Sequence, residues 1–284
     1  KGKLFGFMLL AGILLMAKPA LADSYYPYEI QGYDVTVKVG KDNVYHVTER
    51  LQVNFNQARH GIYRDIPVIN NVSREDGSTS RIQARVTNIK TYGEKRTVGR
   101  EGSYCRIQLG DKNKTLVGEH MYHISYDYNM GKDVRKGEDE FYYNIIGTSW
   151  DTTIQNVTFH IMMPEDIDES KVGMAYGESG STNNEGLQYT INGKVMEGYV
   201  DSSIILNPGE AVTVRMVLTD GYYDQVKQRI WPALISILLS LAAAGAAFLL
   251  WWKVGRDNVV VETIQFHPPK EFNSVEAAFA YKGK

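Results

Sequence analysis

Asp34-Val35-Thr36-Val37-Lys38-Val39, then Gly40-Lys41-Asp42-Asn43, then Val44-Tyr45-His46-Val47-Thr48-Glu49-Arg50-Leu51-Gln52-Val53-Asn54-Phe55: this stretch decides the fold class. Val35, Val37 and Val39 alternate with polar residues, Gly-Lys-Asp-Asn reads as a turn, and Tyr45, Val47, Leu51, Val53 and Phe55 alternate on the return. A side-chain period of two puts one set of residues on one face of a strand, so the stretch predicts an antiparallel hairpin with one buried face. The rhythm recurs at Ile82/Ala84/Val86, Tyr122/Ile124/Tyr126/Tyr128, Val157/Phe159/Ile161/Met163, Leu187/Tyr189/Ile191 and Val212/Val214/Met216/Leu218. Clusters of Gly, Asn and Asp separate these runs. The predicted class is therefore mainly β, an antiparallel β-sandwich. Alternation leaves open one large sandwich or two in series, with a split falling in the polar run from Gly131 to Glu138.

Two apolar segments bracket this region. Lys1 and Lys3 precede an almost wholly apolar run from Leu4 to Ala17, Lys18-Pro19 break it, and Ala20-Leu21-Ala22 supply the small residues of a cleavage site. These are the parts of a secretory signal over residues 1–22, and the apolar run is short against the roughly 20 residues an uncleaved span needs. The second segment, Trp231 to Trp252, carries no charge. At 1.5 Å per residue it extends about 33 Å, enough to cross a bilayer core, with Trp231 and Trp251-Trp252 at interfacial positions. Lys227 and Arg229 balance Lys253 and Arg256, so flanking charge does not orient the helix. The signal orients it instead: residues 23–228 are expected as an extracytoplasmic domain in the cell envelope, 231–252 as a transmembrane helix, and 253–284 as the start of a cytoplasmic region. Within that last region Val259-Val260-Val261 and Ile264/Phe266 read as extended, and Asn273 or Ser274 with Glu276 reads as a helix start. The pattern breaks off at Lys284, which predicts a longer natural protein.

Composition agrees. The chain has 284 residues, 43% of them hydrophobic, and a formal net charge of -2, with mean hydropathy -0.30. That balance suits a soluble domain with a small membrane part. Cys105 is the only cysteine, so no intramolecular disulfide staples a domain of about 200 residues, which its own core is large enough to hold. Residues 23–136 carry 18 basic against 14 acidic side chains, net +4, whereas 137–226 carry 3 against 15, net -12. Two such halves would dock on each other or give the domain a polar axis; plain solvated faces account for the same counts.

Chemistry-bearing residues are few. In His60-Gly61-Ile62-Tyr63-Arg64-Asp65-Ile66-Pro67, an aromatic ring, a guanidinium and a carboxylate are adjacent. Arg64 there suits an anionic polymer or partner carboxylate, with Tyr63 stacking beside it. The structural alternative pairs Arg64 with Asp65 or with a carboxylate on a neighbouring strand. Asn144 and Trp150 form the second candidate pair, Trp150 reading as a core anchor or a ligand platform. His120 and His123, three apart on a strand, point to opposite faces and do not make a metal site. Glu138-Asp139-Glu140 and Glu165-Asp166 with Asp168-Glu169 lack the ligand order of a Ca²⁺ loop. No G-x-S-x-G, phosphate-binding glycine loop or basic aromatic strip is present, so no catalytic residue, cofactor, metal or nucleic acid is predicted. Within the apolar helix, Ala242, Gly245 and Ala246 belong to a small-residue band suited to close helix–helix packing.

The succession Thr48-Glu49, His60 to Pro67, Leu109-Gly110-Asp111, Asn144-Ile145-Ile146-Gly147-Thr148-Ser149-Trp150 with Ile154, Gly255-Arg256-Asp257 and Phe266-His267-Pro268-Pro269 with Ser274 resembles the bacterial predicted membrane proteins catalogued as domain of unknown function 2207. The resemblance runs from about Tyr28 to Ala278. It departs at Asn273-Ser274-Val275, where the Pro that often follows the Ser is absent. It implies a signal peptide, a β-rich outer domain and a membrane helix, and it brings no biochemical activity. The expected role is a membrane-anchored binding or interaction module with an envelope polymer or membrane protein as partner. A cell-envelope hydrolase and a structural subunit of a membrane complex are the alternatives.

Overall fold

A computed structural model describes residues 26–73, 77, 79–132, 137–226, 231–255 and 273–282. The expected signal at 1–22 and the extended segment at Val259–Phe266 lie outside the described residues. Within them the chain is mostly strand. In order these are β1 (Tyr28–Val39), β2 (Val44–Arg59), β3 (Gly61–Pro67), β4 (Ile69–Ser73), β5 (Thr79–Gln83), β6 (Arg85–Thr91), β7 (Arg96–Glu101), β8 (Tyr104–Gly110), β9 (Leu116–Asn129) and β10 (Glu138–Ile146). After them come β11 (Val157–Met162), β12 (Val172–Gly177), β13 (Leu187–Asn192), β14 (Val195–Val200) and β15 (Ala211–Thr219), then helices α1 (Trp231–Val254) and α2 (Ser274–Lys282).

The hairpin that decided the class is β1–β2. It pairs Val39 with Tyr45 and Val35 with Glu49. Asn43 closes the turn at φ 56°, a left-handed conformation that Asn tolerates, and its N–H donates to the Gly40 carbonyl at 3.1 Å. This hairpin lies inside a seven-stranded sheet ordered β13-β14-β11-β1-β2-β9-β6. Two three-stranded sheets, β10-β15-β12 and β3-β8-β7, and the pair β4-β5 complete the domain. Among the described strands, pairing is antiparallel except between β1 and β11, which run parallel from Tyr33↔Val157 to Lys38↔Met162, and a parallel bridge Ile30↔Ile154 extends the contact. That contact puts strands from the basic and acidic halves of the chain into one sheet, and the described residues through Val226 form one compact unit.

Period-two alternation becomes burial. Val35, Val37, Tyr45, Val47, Leu51, Val53, Ile124 and Tyr126 face inward from the large sheet. Ile62, Ile66, Ile107 and Leu109 of one small sheet, and Phe141, Tyr143, Val212 and Val214 of the other, complete the same buried cluster. Each such side chain contributes about 1.5–3 kcal/mol by leaving water. Aromatic edges organise the middle: Tyr45 packs on Phe141 at 5.1 Å and on Tyr143 at 5.8 Å.

At the corner between β2 and β3 two glycines carry the backbone. Gly61 (φ 140°) and Gly110 (φ 135°) are register partners. A Cβ on Gly61 would lie 1.8 Å from the Leu109 carbonyl oxygen, and one on Gly110 would lie 2.0 Å from that of His60. Only glycine permits this approach.

The domain's last described residues are tied to its core. Tyr222 and Tyr223 are buried, the Tyr223 N–H donates to Asp139 Oδ2 at 3.0 Å, and the Gln225 N–H donates to the Lys41 carbonyl at 3.1 Å. The ammonium of Lys41 sits 4.2 Å over the Tyr222 ring. Helix α1 belongs to a second unit. Its 24 residues are long and apolar enough to cross a membrane, and none is buried.

Candidate functional site

Strand β3 sorts the expected trio by phase. Ile62, Arg64 and Ile66 point into the core, while Tyr63 and Asp65 point to the other side of the small sheet. Arg64, next to two apolar side chains and only 2% exposed, needs a buried partner. Glu49 on β2 supplies it: that residue is fully buried and shares the inward phase of Tyr45, Val47, Leu51 and Val53.

The pair is bidentate. Arg64 Nε donates to Glu49 Oε2 and Nη2 to Oε1, both at 2.8 Å. Two phenols complete the carboxylate, Tyr33 donating to Oε2 at 2.8 Å and Tyr126 to Oε1 at 2.6 Å. Tyr126 in turn meets the Tyr143 hydroxyl at 3.0 Å. Arg64 Nη1 donates to the Asp65 carbonyl at 2.8 Å, and the guanidinium lies 5.7 Å from the Trp150 ring centre. Burial pushes the Glu49 carboxyl up, but the Arg64 charge and the bonds from Arg64, Tyr126 and Tyr33 outweigh it and hold the group below its ordinary value. Burial drives the Tyr33 and Tyr126 phenols well above theirs, so they stay protonated and donate. The ensemble is an ionised pair with its polar atoms satisfied in a core, an arrangement that fixes strand register. It does not present Arg64 to an external anion.

Trp150 is buried too, edge-on to Tyr33 at 5.8 Å. Asn144 accepts from Thr213 Oγ1 at 3.0 Å and joins Arg64 and Gly147 around a cleft of about 20 Å³, room for a single water. Three of the five expected residues thus belong to the interior or its border.

The outer face of the β3-β8-β7 sheet is what Tyr63 and Asp65 build, together with a residue the sequence reading passed over. Arg106 on β8 stands directly opposite Asp65. Its Nε and Nη2 donate to the two Asp65 carboxylate oxygens at 2.8 and 2.7 Å. Its guanidinium lies 5.2 Å from the Tyr63 ring centre. Tyr63 is 55% exposed, an aromatic plate held against a clamped cation. The signal for Arg106 is β-register, which sequence alone does not carry.

His120 and His123 do face opposite sides. His120 Nε2 lies 2.8 Å from Glu94, and His123 stacks on Tyr92 at 4.1 Å. Among the described residues no group of three or more His, Cys, Asp or Glu is placed to hold a metal ion.

The N-terminal domain of the predicted membrane protein family DUF2207 matches residues 29–218. No curated protein matches the chain. Among solved structures, an M1 zinc metallopeptidase from Deinococcus radiodurans is 11% identical, covering 66% of this chain and 42% of its own, with TM-score 0.35. The native leukotriene A4 hydrolase of Saccharomyces cerevisiae is 7% identical, covering 70% of this chain and 32% of its own, with TM-score 0.37. This chain spans less than half the length of either, and likeness at such scores carries no inference about it. The family match covers more than half of the chain, over the strands that hold Glu49, Arg64 and Tyr63: the chain belongs to the predicted membrane protein family DUF2207, through its N-terminal domain.

Proposed function

We propose that the β domain is an extracytoplasmic binding module, tethered in the cell membrane through α1, whose contact surface is the outer face of the β3-β8-β7 sheet. One observation carries the reading: Tyr63 is exposed yet held, with Arg106 beside its ring and Asp65 gripping Arg106 through both carboxylate oxygens. An exposed aromatic that already has its orientation loses little conformational freedom on meeting a partner. The buried Glu49–Arg64 fork behind it fixes β3 to β2, so the plate sits on a rigid strand rather than a mobile loop. The partner is an envelope polymer or another membrane protein.

Photo-crosslinking tests this. With p-benzoylphenylalanine in place of Tyr63 in the membrane-embedded chain, illumination of intact cells is expected to trap a discrete adduct. Replacing Arg106 by Gln in that background should reduce its yield several-fold. An adduct pattern no different from that of a probe at exposed Gln188 would contradict the assignment of this face.

A further inference from the structure

Beside Tyr63 lies a groove of about 430 Å³ between the end of β2 and strands β3 and β8. Its floor is the close backbone approach of the Gly61 corner, with buried Ile62 and Leu109 beneath. Its rim is polar, and among the described residues no carboxylate lines it. Arg59, half-buried, lies with its guanidinium 5.6 Å from the Tyr28 ring centre. Among the described residues it makes no ion pair or side-chain hydrogen bond, unlike Arg64 and Arg106. The amides of Gln57 and Gln108 likewise make no side-chain hydrogen bond among the described residues. His60 Nδ1 lies 3.0 Å from the Lys114 carbonyl, an acceptor. That bond places a proton on Nδ1 and leaves Nε2 free of it. The groove thus offers a cation that makes no ion pair among the described residues, two amides able to donate and accept, an imidazole nitrogen and an aromatic wall.

We infer that this groove binds an anionic saccharide, whose carboxylate or phosphate pairs with Arg59, whose ring lies on Tyr63 and whose hydroxyls bond Gln57 and Gln108. The inference rests on the binding-module reading above and names the ligand class of its face. Arg forks match carboxylate and phosphate oxygens, and sugar hydroxyls, donors and acceptors at once, suit amides and an imidazole. An acidic peptide would instead draw its affinity from main-chain pairing to a strand edge. The β3 edge is poorly suited to that. The Asp65 carbonyl already accepts from Arg64 Nη1 and Ser149 Oγ, and Pro67 has no N–H to give.

Calorimetric titration of the full chain in detergent micelles tests it with four probes: tetragalacturonate, glucose 6-phosphate, maltotetraose and tetraglutamate. Tetragalacturonate or glucose 6-phosphate is expected to bind at least tenfold more tightly than maltotetraose, the one that binds telling carboxylate from phosphate. Arg59→Gln should remove about tenfold of that affinity, the worth of one charge-assisted contact, and leave maltotetraose unaffected. Should Arg59→Gln fail to fold, Gln108→Ala on the opposite wall reads the same site through a several-fold loss. Tetraglutamate binding as tightly as the anionic saccharides, anionic saccharide binding unchanged in the folded variants, or no saccharide binding at all would each overturn the inference. If saccharides fail while a probe at residue 63 still traps a partner, the ligand class falls and the binding-module reading stands.

Discussion

Glu49 and Arg64 each occupy an inward position that their strands otherwise give to Val, Leu, Ile and Tyr. Removing either partner leaves the other charged and buried, so Glu49→Gln or Arg64→Met is expected to cost about 3–5 kcal/mol in urea unfolding. Replacing both at once, Glu49→Gln with Arg64→Met, should cost far less than the sum, because the strain lies in the unpaired charge and not in the missing pair. Additive losses would refute the coupling. The same pair sets a pH dependence. The Glu49 carboxyl titrates below its ordinary 4.5 in the folded state, so its stabilisation is complete above about pH 4.5 and fades as pH falls through the lowered value. The difference in stability between wild type and Glu49→Gln should therefore shrink on acidification below that point. At the alkaline end Tyr33 and Tyr126 titrate above their ordinary 10.0, so stability is expected to be full below pH 10 and to decline beyond it. Their ionisation, followed by ultraviolet absorbance, should coincide with unfolding. Both charges were legible in principle: a Glu in phase with Tyr45, Val47, Leu51 and Val53, and an Arg in phase with Ile62 and Ile66, announce buried charge. That Glu49 answers Arg64 was not legible, because it depends on how β3 crosses β2.

Local patterns announced the elements better than their assembly. The run Val35 to Phe55 became the β1–β2 hairpin with its turn at Gly40–Asn43, and the runs around Tyr122–Tyr128, Val157–Met163 and Val212–Leu218 became β9, β11 and β15. Two things escaped. The parallel β1–β11 pair joins residues more than a hundred positions apart, and both strands alternate as an antiparallel strand would. Strand β7 is exposed along its whole length, so burial writes no period into it. At the β2–β3 corner the glycines are structural. Gly61→Ala or Gly110→Ala forces a Cβ onto a facing carbonyl in a positive-φ conformation. The conformation alone costs about 1–3 kcal/mol, and the steric overlap adds to it. A melting temperature unchanged by either substitution would mean that the two strands approach less closely than described.

At the scale of the molecule, one strand-rich unit ends in a stretch bound to its own core through Tyr222, Tyr223 and Gln225. A helix of membrane-spanning length begins at Trp231. A binding face on the first unit is useful only where its partners are, so the account requires that unit to lie outside the cytoplasm. Accessibility to an impermeant reagent asks this directly. In a Cys105→Ser background, Thr97→Cys places a lone thiol on exposed β7 of the full chain. The account predicts that a membrane-impermeant maleimide labels this thiol in intact spheroplasts as completely as after lysis; labelling only after lysis would contradict it.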